Sequence, residues 1–241
     1  SKLSFLYDID YLRNIESLYG NEVLKQYILE KLKAIDKFDD CLVITDFTQF
    51  TETGTVEDLV GGGDSVSWEK TTDELKCTIT TDATEGDRHA WMYVNFASNN
   101  ITKIYFSYVC IISSASLEFD ICNASGETLF NPPDCYWIRA FTTYPYYNIR
   151  LLKNVGGTET TLAAETTEVT PTKVAGFIDV SNNIQKVWAN SDPIDLSNPL
   201  ISVSDSEITA IASFRFRAHT TSTSATQTYE WKVPLIVAWK S

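Results

Sequence analysis

Two carboxylates set two residues apart, Glu118 and Asp120, are the first side chains here whose type and spacing point to chemistry. They stand in Ser114–Cys122, where apolar Leu117, Phe119 and Ile121 alternate with polar residues. A strand projects successive side chains to opposite faces, so the alternation places both acids on one face. Carboxylates sharing a face are the equipment of glycoside hydrolysis, which also needs an acid held protonated. Cys122 and Asn123 follow, and neither has a carboxyl group to protonate a leaving oxygen. The plainer reading is two solvated acids on an outward strand face, and no residue is assigned a catalytic role.

Aromatic side chains form the second candidate set. Asn131–Trp137 and Tyr144–Tyr147 place Trp137, Tyr144, Tyr146 and Tyr147 on or beside proline-containing turns. Exposed aromatic faces stack on sugar rings, and tyrosine adds a polar end. With Glu118 and Asp120 they are the expected carbohydrate-binding residues; the competing expectation is that they cover one end of the fold or an interface. His89 and His219 are far apart in sequence. No Gly-x-Ser-x-Gly elbow, phosphate-binding Walker loop or His-Glu-x-x-His helix occurs. Gly61–Gly63 lacks the Lys-Ser/Thr of a phosphate cradle and reads as a flexible loop. No cofactor is expected. Calcium is the one metal with candidate oxygens, in Asp192–Asp195 and Asp82–Asp87, without the spacing of a defined calcium loop.

The elements that must hold these groups are strands. From Cys41 onward short β-rich runs succeed each other, separated by turns such as Glu85–Asp87, Ser98–Asn100 and Ser181–Asn183. Lys173–Val180 and Ile184–Ala189 alternate around Ser181–Asn183 as a hairpin. In Ser213–Arg217 the phenylalanines face the core, and Arg215 and Arg217 face out. Trp68, Trp91, Trp188 and Trp231 lie in strand patterns and are read as core. Pro234 interrupts the last run, and a proline cannot donate to a ladder, so that strand lies at an edge or bulges. Many strands at short spacing with no helix between them predict a mainly β fold, a two-sheet antiparallel β-sandwich over 41–241.

Residues 1–40 alone read as helix. Ile9, Leu12, Ile15 and Tyr19 recur at helical spacing, Gly20 breaks the pattern, and Leu24, Ile28, Leu32 and Ile35 form a second apolar stripe. A helix of about four turns is marginal alone in water, so this stripe packs on something: either the following domain, or copies of the chain or a partner.

Composition narrows the classes. At 44% hydrophobic and 12% aromatic residues, the 241-residue chain is not a disordered one. Its net charge of -13 argues against nucleic acid and anionic membrane surfaces, which attract cations. No apolar run is long enough to span a bilayer, and Ser1–Asp8 lacks the long apolar centre of a signal peptide. Five cysteines, an odd number with no Cys-x-x-Cys pair, point to reduced, structural thiols rather than zinc or a disulfide scaffold.

The order of the strand motifs carries a resemblance. Asp46–Phe50, Val66–Trp68, Glu74–Thr78, Trp91–Phe96, Ile104–Tyr108, Leu117–Ile121, Asn148–Leu152, Gly176–Val180 and Lys186–Asn190 run in an order that resembles the concanavalin A-like (laminin-G-like) lectin and glucanase sandwiches. The resemblance spans 42–241 and implies a jelly-roll of two curved antiparallel sheets, with a ligand on the concave face. Family-16 glucanases of this fold carry Glu-x-Asp-x-Glu or Glu-x-Asp-x-x-Glu. Glu118 and Asp120 match its start, and Cys122 or Asn123 stands where the second Glu belongs. Such sandwiches also recur in phage and viral particles as decoration, fibre and receptor-binding modules. The expectation is therefore a non-enzymatic structural or adhesion protein of a virus or phage particle. In it 1–40 docks or oligomerises through Leu24, Ile28, Leu32 and Ile35, and partners are other copies and capsid or tail proteins. It would stand on a virion or extracellular surface, without membrane insertion. A carbohydrate-binding module is the alternative, and a glycoside-active enzyme the third.

Overall fold

The computed structural model describes residues 41–52, 57–58, 63–96, 101–112, 117–123, 134–141, 147–167, 173–190 and 198–240, with residues 14, 15, 17–20, 23 and 27 towards the amino end. Sixteen strands are numbered in chain order: β1 (Cys41–Ile44), β2 (Thr51–Glu52), β3 (Glu57–Asp58), β4 (Ser65–Lys70), β5 (Glu74–Thr80), β6 (Arg88–Asn95), β7 (Ile101–Ile112), β8 (Leu117–Cys122), β9 (Cys135–Phe141), β10 (Tyr147–Val155), β11 (Thr158–Thr167), β12 (Lys173–Asp179), β13 (Ile184–Ala189), β14 (Ile201–Val203), β15 (Ser213–Thr220) and β16 (Thr226–Lys240). Among the described residues they form two eight-stranded sheets. Sheet A runs β14-β13-β12-β7-β16-β5-β4, with β1 beside β16; sheet B runs β11-β10-β9-β8-β15-β6-β2, with β3 beside β6. Every pairing between these strands is antiparallel, so the expected mainly β jelly-roll sandwich is what the chain forms.

Alternation builds the interior. On β5, Leu75, Cys77 and Ile79 are fully buried and point inward; on β15, Phe214 and Phe216 do the same. Phe216 is the hub, with ring centroids 5.4 Å from Phe47, 5.6 Å from Phe50, 5.7 Å from Tyr108 and 5.1 Å from Phe214. Offset and edge-on rings at such spacings add to the burial of area. Trp231 joins this core and Trp68 packs against it. Trp91 and Trp188 are buried outside that cluster.

The hairpin β12–β13 turns where expected. The Asp179 carboxylate accepts from the Ser181 and Asn182 amides, both at 3.0 Å, and from the Asn182 side chain at 2.8 Å, while Asn183 takes φ 56°. Asn tolerates that left-handed backbone better than branched residues. Pro234 sits in a bulge and not at an edge: the β16–β7 register shifts between Lys232 and Leu235. β16 also changes its other neighbour there, from β5 over Thr226–Lys232 to β1 over Ile236–Trp239. A residue with no N–H is tolerated where the ladder is already broken.

Near the amino end, Asn14, Ile15 and Ser17–Tyr19 are helical, and Gly20 follows at φ 91°, where the pattern was expected to break. Ile15 is buried and Tyr19 exposed. Leu24, Ile28, Leu32 and Ile35 lie outside the described residues.

Candidate functional site

The site is built on the face of sheet B that turns away from the core, because β15 alternates. With Phe214 and Phe216 pointing in, Arg215, Arg217 and His219 point out. The register then assembles rows from strands distant in sequence. Arg150, Arg139, Glu118, Arg217 and Trp91 form one row across β10, β9, β8, β15 and β6. Leu152, Trp137, Asp120, Arg215 and Tyr93 form the next. The Glu118 position is thus flanked by Arg139 and Arg217, and the Asp120 position by Trp137 and Arg215.

Arginine and tryptophan pack against each other on this face. The Arg217 guanidinium carbon lies 3.7 Å from the centroid of the Trp137 ring, and that of Arg215 lies 5.2 Å from Trp91. β8 separates β15 from β9, so Arg217 reaches across it to meet Trp137. Arg215 and Arg217 are each 2% exposed and Trp137 6%. A guanidinium stacked on a ring while shielded from water gains about 2 kcal/mol or more.

At one end of these rows the histidines meet. His219 and His89 are register partners whose rings stack at 4.5 Å, and His219 Nε2 is 3.4 Å from an Asp87 carboxylate oxygen. Beside them opens a cleft of about 470 Å³ lined by Glu85, Gly86, Asp87, Thr221, Ser222 and Thr223. Carboxylates and hydroxyls of this kind accept from and donate to the hydroxyls of a saccharide.

The expected ligand residues are divided by the topology. Ile149, Ala140, Leu117, Ala218 and Ala90 share a row, so β9 ends and β10 begins at the same end of sheet B as the cleft. The β8–β9 connection leaves it at the opposite end, beyond the Cys122–Cys135 row. Tyr144, Tyr146 and the side chains of Tyr147, Glu118 and Asp120 lie outside the described residues. Cys122 is fully buried with Cys135, Trp137 and Leu152. The arginine rows and the histidine pair were missed by the sequence reading. Their signal was present as Trp137-x-Arg139, Arg215-x-Arg217 and His89-x-Trp91 on alternating strands.

Two acidic clusters are already satisfied by protein groups. Asp82 accepts from the Gly63 and Thr84 amides, both at 2.8 Å, and from Arg88 at 3.1 Å. The Gly63 amide foremost, then Thr84 and Arg88, hold its carboxyl below the ordinary range. Fully buried Arg88 also donates to Asp64 at 2.8 Å. The Asp82 and Asp64 oxygens thus already accept from protein donors, and among the described residues no group of three or more His, Cys, Asp and Glu is placed to hold a metal. Asp192–Asp195 lies outside them. The second cluster bridges the sheets. Asp205 accepts from the Tyr136 hydroxyl at 2.9 Å and pairs with Lys153, while Gln185 donates to Tyr136 at 3.2 Å. Burial opposes the Asp205 charge, but Lys153 and Tyr136 outweigh it and lower its pKa; burial and Asp205 push the Tyr136 phenol up.

The fold is that of the concanavalin A-like lectins and glucanases. Lectin II from Ulex europaeus matches 84% of this chain over 99% of its own, with TM-score 0.52 and 9% identity. A galactose complex of lectin UEA-II gives TM-score 0.51, 10% identity and the same coverage. A prokaryotic beta-1,3-1,4-glucanase (lichenase) derived from a mouse hindgut metagenome gives TM-score 0.51 and 10% identity, over 83% of this chain and 99% of that one. No protein-family model matches the chain, and no curated protein does. No helix among the described residues is long and apolar enough to cross a membrane.

Proposed function

We propose that this protein is a non-catalytic adhesion module that binds a saccharide at one end of sheet B. The Arg217–Trp137 stack carries the reading: it lies across β8, 3.7 Å from guanidinium carbon to ring centroid, over the strand that a glucan substrate would have to reach. The thiol of Cys122 at the second acid's position supports it further. The saccharide meets the polar cleft beside Asp87 and His219, with Tyr144, Tyr146 and Tyr147 supplying the stacking faces. The galactose complex of a lectin sharing this fold is in keeping with that ligand class. On a glycan array the full chain is expected to bind a restricted set of saccharides, and Asp87→Ala or Tyr146→Ala to abolish binding. Absence of binding to any saccharide would end this reading. Turnover of a β-glucan that vanishes in Glu118→Gln would replace it with a hydrolase.

A second reading places the module on a virus or phage particle, held by 1–40. The apolar stripe of Leu24, Ile28, Leu32 and Ile35 favours it. Mass photometry is expected to find an oligomer for the full chain and a monomer for 41–241; two monomers would remove self-association.

A further inference from the structure

The outward face of sheet B carries a second built feature, at the end opposite the cleft. Cys122 on β8 and Cys135 on β9 are register partners, both fully buried and both in one side-chain cluster with Trp137 and Leu152. In the adjoining row the Asn123 amide donates to the Asp134 carbonyl at 2.9 Å. Rows of an antiparallel pair alternate between hydrogen-bonded and not, so the Cys122–Cys135 row is a non-hydrogen-bonded one. Opposed Cα atoms in such a row stand about 4.5 Å apart, with their side chains at closest approach. A disulfide needs Cα atoms roughly 4.4 to 6.8 Å apart with Cβ atoms directed at each other. Cys77, by contrast, faces Tyr229 and Trp68 across its strand pairs.

We propose that Cys122 and Cys135 are a disulfide site: in an oxidising compartment they form a cross-strand bridge that staples the β8–β9 connection. The reaction is thiol–disulfide exchange with a small disulfide such as glutathione disulfide. One thiolate attacks it, forming a mixed disulfide and releasing one glutathione. The second thiolate then displaces the other, so the two cysteine sulfurs lose two electrons in all, and the two thiol protons pass to the departing glutathione thiolates. Full burial denies a small oxidant access to the folded thiols, so the bridge forms as the hairpin closes during folding. The bridge leaves the saccharide reading untouched, because it lies at the other end of the sheet.

The test refolds the full chain from denaturant in a glutathione redox buffer and maps its peptides by mass spectrometry without reduction. The expected result is one linked peptide pair joining Cys122 to Cys135, two hydrogens lighter than the reduced pair. Tm should lie roughly 6 to 12 °C above that of the reduced protein, the value for closing a loop of about 15 residues in a domain this size. Dithiothreitol should reverse the shift. Cys122→Ser and Cys135→Ser should each abolish linkage and shift, and Cys77→Ser should abolish neither. Refolded protein with both thiols intact, or with either cysteine linked elsewhere, overturns the proposal. If a serine variant fails to fold, the wild-type linkage map decides alone.

Discussion

Replacing Gly176 by alanine tests how closely the Phe106 ring lies over its cross-strand partner in sheet A, beneath Phe214 of sheet B. An ideal Cβ on Gly176 would stand 2.1 Å from Cζ of Phe106 and 2.7 and 2.9 Å from its Cε atoms. Ordinary contact begins near 3.4 Å, so the ring must retreat by about 1.3 Å. It has little room: Phe106 is 1% exposed and its centroid lies 5.3 Å from that of Phe214, which in turn touches Phe216. The backbone of Gly176 needs no positive φ, so the cost is steric alone. Overpacking a filled core costs about 1–3 kcal/mol and occasionally more. A domain of this size loses roughly 2–4 °C of Tm per kcal/mol, so Gly176→Ala should melt roughly 2–12 °C lower by scanning calorimetry. Phe106→Leu frees space at the same place. The double variant should therefore be less destabilised than the sum of the two single ones, a coupling between contacting residues. A Gly176→Ala protein melting within about 1 °C of the parent, or a pair of changes that simply add, refutes the packing.

Other perturbations separate the polar clusters. Asp64→Asn leaves buried Arg88 with one carboxylate partner fewer and should cost roughly 3–5 kcal/mol in a urea titration, as breaking buried ion pairs does. Asp82, Asp179 and Asp205 all have pKa values lowered from 3.8 in the folded state. Their stabilisation is therefore fully present above the unfolded value and lost as pH falls through the folded ones. Tm measured against pH should drop steeply below about 3.8, and Asp205→Asn should make that drop shallower. Arg217→Lys keeps the charge and loses the planar stack, so about 1–2 kcal/mol should disappear. The Trp137 contribution to the fluorescence should change with it; an unchanged spectrum and Tm would deny the stack.

What could be read from the sequence was local. The hairpin of β12 and β13, the inward phenylalanines of β15 and the interruption at Pro234 each follow from alternation or from a residue's missing donor. The order of the sheets could not be read so, because β15 inserts between β8 and β6, whose partners lie far away in sequence. Trp91 reads as core and is buried, but a tryptophan on a strand gives the same pattern whichever side covers it. Arg215 facing it from β15 is what makes its face polar. The Asp82–Asp87 acids looked like calcium oxygens for a related reason. Their occupant, Arg88, is next in the chain, but Asp64, which completes the cluster, belongs to another turn. Alternation reports which face a side chain takes, and only long-range pairing reports who shares it.

The charge layout bears on the third reading, a glycoside-active enzyme. The chain carries a net charge of -13, yet five of its six arginines are on sheet B, and three of those, Arg139, Arg215 and Arg217, stand beside the β8 acids. Glu118 and Asp120 match only the start of the glucanase motif, whose second Glu is the proton donor to a leaving sugar. Supplying the glucanases' second acid by Cys122→Glu should give no glucan hydrolysis, because the Arg217–Trp137 stack lies across β8. It should also destabilise the fold, because position 122 is fully buried against Cys135, Trp137 and Leu152. A lone buried carboxyl either costs several kcal/mol or stays protonated. Reducing-sugar release from a β-1,3-1,4-glucan by folded Cys122→Glu protein would show that the Arg217–Trp137 stack opens to substrate, and the adhesion reading would lose its support.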